Sequence, residues 1–314
     1  MKRHYLLMIT SAFTLPLILM MLTPQTMAGS HESQTGPAEV YVGVWLVNVE
    51  KVDLAASSYR LDFYLWFKFN HSRINLVDVK KFEFVNGPLG TFPPIEENET
   101  RGYVEYRIKG DFIKTFDFTD YPFETHTLTI ELEHKELDAS RLRYIADQNS
   151  AIDEAINVAG WEIGGYNTIE TEHSYGDETF SRFIFCVQLR RPTLSSFVKS
   201  VLPIIVITTI SLLTFFISPQ NFSQRIGLGV TTLMSATAFH LSLLSGLPPI
   251  GYLTFADRMM MSIYIVFLYN LSTSVYIMKL VDAKKTEEAA QFNKKAMKAL
   301  AVLIVALIIV QIIS

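Results

Sequence analysis

Four apolar stretches gathered between residues 192 and 314 constrain the fold of this chain more than any other feature. They are "SSFVKSVLPIIVITTISLLTFFI" (about 195–217), "RIGLGVTTLMSATAFHLSLLSG" (225–246), "DRMMMSIYIVFLYNLSTSVYIMKL" (257–280) and "AMKALAVLIVALIIVQIIS" (296–314). Each meets the length of roughly 20 residues that a helix needs to cross a bilayer. The link between the third and fourth carries Lys279, Lys284, Lys285, Lys294, Lys295 and Lys298 against Asp282, Glu287 and Glu288. A basic excess of this kind marks the cytoplasmic side of a membrane protein. The link is too short to hold a kinase or another output domain. A mean hydropathy of +0.24 is too apolar for an average soluble protein and too polar for one wholly in the membrane. The chain therefore has two parts.

The first part follows an export signal. Lys2 and Arg3 precede the apolar "YLLMITSAFTLPLILMML", and the small residues of "TMAGS" come next, so residues 1–28 are expected to be a signal peptide cleaved after Ala28. Residues 29–191 would then lie outside the cytoplasm, followed by the membrane domain, residues 192–314. Segments such as "EVYVGVWLVNVE", "YRLDFYLWFKF", "KKFEFVNG", "GYVEYRIKGDFI", "THTLTIELE" and "RFIFCVQLR" alternate or are rich in aromatic and β-branched residues. Short strands over this length suggest a β-sandwich. The single cysteine, Cys186, excludes an intrachain disulfide. "DQNSAIDEAINVAG" reads as a linker with a helical turn.

The second apolar stretch differs from the others. Gly227, Thr231, Met234, Ala238, Leu241 and Ser245 are spaced 4, 3, 4, 3, 4 and fall on one helical stripe. Thr232, Ser235, Thr237, His240 and Ser242 add polarity nearby. A lone helix would not expose hydroxyls and an imidazole to lipid. The stripe reads either as a small-residue packing face or as a pore wall that several copies share around an axis.

The stretch "KTFDFTDYPFETHTL" (114–128) reads as strand, turn, strand with Tyr-Pro-Phe at the bend. Together with Arg191 before the membrane, Pro203 in the first span, the hydroxyl-lined second span and "GLPPIGYLTF" after it, it resembles the pentameric ligand-gated ion channels, the Cys-loop receptor superfamily. The likeness is greatest to the bacterial members and covers residues 38–314. In animal members two cysteines close the bend; Lys114 and Leu128 stand in those places here. The resemblance implies an extracellular or periplasmic β-sandwich followed by a four-helix transmembrane bundle, an α+β membrane protein in the cell inner membrane. Its expected partners are four identical subunits, membrane lipid, permeant ions and a small-molecule or proton agonist, with no nucleic acid.

Site residues follow from the same resemblance. The stripe from Gly227 to Ser245 would line the pore, with Met234 and Leu241 as its gate. Asp53, Asp117, Tyr121, Pro122, Phe123, Glu124, Arg191 and Pro248 would couple the sandwich to the pore. Glu124 would pair with Arg191, Asp53 would join them, and Tyr121 and Phe123 would touch "LPPIGY". Agonist-site candidates are Tyr64, Trp66, Phe84, Asn86, Lys135, Tyr175 and Phe180, although the family's Trp-x-Pro is absent. Cation-selective relatives place Glu before the basic residue that starts the second span, whereas Gln224 precedes Arg225 here. Residues 30–191 carry 27 Asp and Glu against 16 Lys and Arg, a balance that favours cations in the vestibule. No enzyme site, metal or cofactor is expected. His126, His134 and His173 lack metal-ligand spacing, and Glu96, Glu97 and Glu99 read as a solvated loop sooner than a weak Ca²⁺ site. The alternative is a membrane-anchored periplasmic binding module without a pore.

Overall fold

The computed structural model describes residues 36–313; the expected signal peptide lies outside them. Among the described residues, ten strands form two facing sheets. In the first, the order is β4 (Glu96–Asn98), β5 (Tyr103–Ile113), β2 (Ser58–Phe69), β1 (Ala38–Asp53) and β7 (Leu142–Ala146), with β8 (Ala151–Ile152) also beside β1. The second runs β3 (Phe82–Phe84), β6 (Thr125–His134), β10 (Glu178–Arg190) and β9 (Glu162–Tyr175), all antiparallel. Between the sheets lie Val40, Val42, Val44 and Leu46 of β1, Leu61, Phe63, Leu65 and Phe67 of β2, and Phe183, Phe185, Val187 and Leu189 of β10. Their period of two is what buries one face of each strand. Phe67, Phe82, Phe84 and Phe112 stack or meet edge-on in this core, with Phe67 and Phe82 5.0 Å apart.

A short helix α1 (Leu76–Val79), capped by Asn75, follows β2. The spanning helices then run α2 (Thr193–Phe216), α3 (Phe222–Leu244) and α4 (Phe255–Asp282). These three are the helices, among the described residues, long and apolar enough to cross a membrane. The expected fourth span falls in the later part of α5 (Thr286–Ile313). Its early turns carry the charged link, so the helix starts ten residues before the apolar run. Within α2, Phe197–Val201 winds as a π-helix just before Pro203. Proline has no N–H to give the preceding turn, and such turns are the usual adjustment.

Two apolar clusters hold the helices together. Ile204, Ala236, Met260 and Phe267 join α2, α3 and α4, and Phe215, Val266, Ala296 and Leu300 join α2, α4 and α5. Asn270 is buried in α4 and donates to the backbone and hydroxyl of Ser211 at 2.7 Å. The start of α4 is fixed by a capping box between Thr254 and Asp257.

Several strands were not legible from alternation. β9 is almost wholly exposed, because an edge strand with few apolar residues leaves no buried face to read. β7 and β8 pair in parallel with β1, a long-range event without a local signal. The linker 147–160 contains β8 and turns rather than a helical turn. The strand before the bend stops at Ile113, so residues 114–118 are extended coil.

Candidate functional site

The bend after residue 118 sits against the spanning helices. Tyr121 donates its hydroxyl to the carbonyl of Leu243, near the end of α3, at 2.9 Å. The backbone N–H groups of Phe255 and Ala256, in the first turn of α4, donate to the carbonyls of Thr119 and Tyr121 at 2.7 and 3.1 Å. These are orphan donors of a helix start, so the bend satisfies the end of α4. The Tyr252 hydroxyl accepts from the Phe118 N–H at 2.9 Å and also bonds the Asp117 carboxylate. The expected partners therefore shift. Phe123 meets Phe255 edge-on at 6.0 Å rather than "LPPIGY", while Leu247 and Ile250 of that link pack against the sandwich core. Pro248 is half-buried beside Phe118 and Tyr252. Asp117 accepts from the N–H and hydroxyl of Thr119 and shapes the bend locally.

Glu124 is 2% exposed and accepts from Arg191 Nε at 2.9 Å. The guanidinium also lies over the Trp161 ring at 4.1 Å. Asp53 does not join them. It pairs with Lys51 at 2.7 Å and caps the Ala56 N–H, because the turn after β1 folds back on itself. His126, which spacing alone left unassigned, is buried between Phe116, Phe118 and Trp161, with Nε2 3.9 Å from the Glu124 carboxylate. Burial, and then the Arg191 charge, push its pKa down to about 4. Both Glu124 Oε2 and His126 Nε2 are buried without a hydrogen-bond partner among the described residues.

Helix α3 has two faces. Arg225, Gly229, Thr232 and Ala236 are buried against the neighbouring helices. The opposite stripe, Gly227, Thr231, Met234, Ala238, Leu241 and Ser245, is exposed along its whole length, with Met234 at 67% and Leu241 at 70%. Arg225 turns inward, donating to the carbonyl of Ile217 at 2.9 Å and to Asn293 of α5 at 2.7 Å. His240 also leaves the stripe: its Nε2 donates to Asp257 and its Nδ1 accepts the Tyr264 hydroxyl, both at 3.1 Å. Thr232 returns its hydroxyl to the Leu228 and Gly229 carbonyls.

The agonist candidates fall in separate places. Phe84 is core, and Asn86 ties Tyr59, Thr129 and Glu131 together inside the sandwich. Tyr175 and Phe180 lie at the β9–β10 end, where Tyr175 donates to Glu133 and Arg182 donates to both. Lys135 is exposed on the loop after β6. Tyr64 and Trp66 line a groove of about 430 Å³ on the other sheet with Trp45 and Tyr103, the last two missed from sequence because strand pairing alone makes them neighbours. Arg107 already covers the Tyr64 ring at 4.4 Å, and Trp66 donates to Asp147 at 3.0 Å.

The model of the neurotransmitter-gated ion-channel transmembrane region matches residues 200–307. A proton-gated ion channel of Gloeobacter violaceus is 22% identical over 254 residues, covering 74% of this chain and 70% of the relative. Together the two matches support a pentameric ligand-gated ion channel of the Cys-loop superfamily. Other members are more distant in extent: a gamma-aminobutyric acid receptor beta subunit of Caenorhabditis elegans is 24% identical over 54% of this chain, and one of Lymnaea stagnalis 26% over 49%. The chain spans 30% of each of these two receptor subunits. The matches support a gated ion channel that spans the membrane, with its sandwich on the extracytoplasmic side. The relatives are ligand-gated ion channels, not enzymes. One expectation is corrected: four identical subunits is not the size of the assembly, because the family forms pentamers.

Proposed function

We propose that this channel is a homopentamer whose pore is lined by α3, gated by protons or a small molecule acting on the sandwich, and modestly selective for cations. The exposed stripe of α3 carries this reading. A face that mixes Gly, Thr, Met, Ala, Leu and Ser, turned away from its own bundle, is neither lipid-like nor packed within the subunit. Met234 and Leu241 are its large apolar members, and a ring of such side chains closes a pore by expelling water. The fourth span is assigned to the later part of α5, and residues 29–191 to the sandwich domain.

Charge supports cation preference. Arg225 is fully buried and aims its guanidinium at Ile217 and Asn293, so its charge is withdrawn from the stripe. The acidic excess of residues 30–191 attracts cations by its field, an effect that weakens as the Debye length falls from ~10 Å at 0.1 M salt to ~3 Å at 1 M. Coupling runs through Tyr121, Pro122, Phe123 and the Glu124–Arg191 pair to the ends of α3 and α4. The Tyr64–Trp66 groove and the Tyr175–Phe180 cluster are the surfaces assigned to agonist, one from each of two adjacent subunits.

The test uses single cysteines, with buried Cys186 as a quiet background. Cysteine at 231, 234 or 238 should be modified by a charged thiol reagent applied to open channels, and current should fall. Cysteine at 232 or 236 should not respond. Block at 232 or 236, with none on the stripe, overturns the assignment of the pore face.

A further inference from the structure

A cavity of about 320 Å³ opens where the chain passes from the sandwich into the membrane, with Tyr121 and Pro122 of the bend in its wall. Its polar lining is one-sided. Arg191 and Lys199 bring two cations, Ser195, Ser196, Ser200 and Ser242 bring four hydroxyls, and no carboxylate faces it. Among the described residues, Lys199 has no ion pair, and none of the four hydroxyls has a side-chain hydrogen bond. Arg191 spends only Nε on Glu124, leaving its two terminal nitrogens without an acceptor among the described residues.

Two of the hydroxyls are buried, while Lys199 and Ser242 are exposed. Ser196 and Ser200 are 9% and 6% exposed. Lys199 is in the seventh position of α2, on the π-wound turn Phe197–Val201. A lysine that close to the hydrocarbon must reach head groups or a partner, and here it lines a cavity already supplied with hydroxyl donors. A cation would meet two like charges there. A neutral apolar guest would leave every donor unused. A phosphate or similar oxyanion has only acceptors to offer and matches the set.

We propose that this cavity binds an oxyanion, phosphate-like in chemistry, at the depth of the outer head groups. Its occupant would be gripped from Arg191 after β10, Lys199 and the serines of α2, and Ser242 of α3. These are elements that must shift relative to one another when α3 moves, so occupancy changes the ease of opening. The group is carried either by an anionic lipid or by a free anion.

The assembled channel is reconstituted in phosphatidylcholine bilayers with and without phosphatidylglycerol, and retained lipid is read by native mass spectrometry after detergent extraction. In parallel, inorganic phosphate is titrated against melting temperature in phosphatidylcholine alone. Wild type should retain phosphatidylglycerol over phosphatidylcholine; Lys199→Gln should lose roughly tenfold of that preference, as expected for one charge-assisted hydrogen bond, and Lys199→Arg should keep most of it. This pattern names a lipid head group. Stabilisation by inorganic phosphate that Lys199→Gln abolishes names a free anion. If Lys199→Gln does not assemble, the Ser196→Ala/Ser200→Ala pair replaces it, with a several-fold loss expected. Equal phosphatidylglycerol retention in wild type and variant, with no phosphate effect, overturns the proposal. Both readouts report binding and are independent of whether the protein conducts.

Discussion

An Arg191→Met substitution removes the cation from the junction while keeping most of the side chain's volume. Glu124 is then left 2% exposed with one oxygen newly unpaired and the other already without a partner among the described residues. Removing one member of a buried pair costs about 3–5 kcal/mol. Arg191 itself is 27% exposed, which favours the lower end, about 3 kcal/mol, with about 0.5–1 kcal/mol more for the cation lost from the Trp161 face. At about 2–4 °C per kcal/mol for a domain of this size, the summed loss of about 3.5–4 kcal/mol should lower the melting temperature by about 7–16 °C. The assay is thermal unfolding of the purified channel at one scan rate, followed by tryptophan fluorescence. A second signature separates this mechanism from loose packing. His126 Nε2 lies 3.9 Å from the same carboxylate oxygen, and its low pKa of about 4 owes part of its depression to Arg191. Without that charge, and facing an unpaired carboxylate, the ring should protonate at higher pH and replace the lost partner. The deficit should therefore shrink between about pH 7.5 and about pH 5.5, and a second substitution, His126→Phe, should abolish the rescue. A variant that melts like wild type at the higher pH refutes the pairing, and a deficit that ignores pH refutes the His126 link.

In the unaltered channel the same histidine should act in the opposite direction. The unfolded ring takes a proton near 6.5 and the folded one only near 4, so the unfolded state binds more protons between those values and stability falls as pH drops through that window. The loss is at most about 3 kcal/mol, and His126→Phe should flatten the profile. Met234→Ser should let water wet the narrow ring and raise resting current, with Leu241→Ser doing likewise if the outer ring is the barrier; patch recordings at matched surface expression check both, and unchanged leak in both variants removes the gate from this stripe. Gly43→Ala should destabilise the sandwich by about 1–3 kcal/mol, because its new methyl would lie 2.1 Å from the Trp66 ring. The melting temperature and a shifted tryptophan emission would report it, and a wild-type melt would show that the indole moves freely.

What the sequence determined by itself was everything carried by local period or local composition. The three long apolar helices stand in its hydropathy because a bilayer demands uninterrupted apolar length. The core faces of β1, β2, β6 and β10 stand in its alternation. The exposed stripe of α3 was legible because helical spacing places Gly227 to Ser245 on one side whatever surrounds it. The Glu124–Arg191 contact was legible only through the resemblance, since 67 residues separate the two. Tertiary structure alone decided which polar groups meet. It sent Asp53 to Lys51, turned His240 to Asp257 and Tyr264, sank Phe84 into the core, tied half-buried Asn86 to Tyr59 and Thr129, and set His126 beside Glu124 under the Trp161 ring. It also gathered Arg191, Lys199 and four serines from three elements around one cavity. The physical reason is that burial and charge partnership depend on chain segments far apart in sequence. A residue's type sets what it needs, and the folded neighbours decide where that need is met.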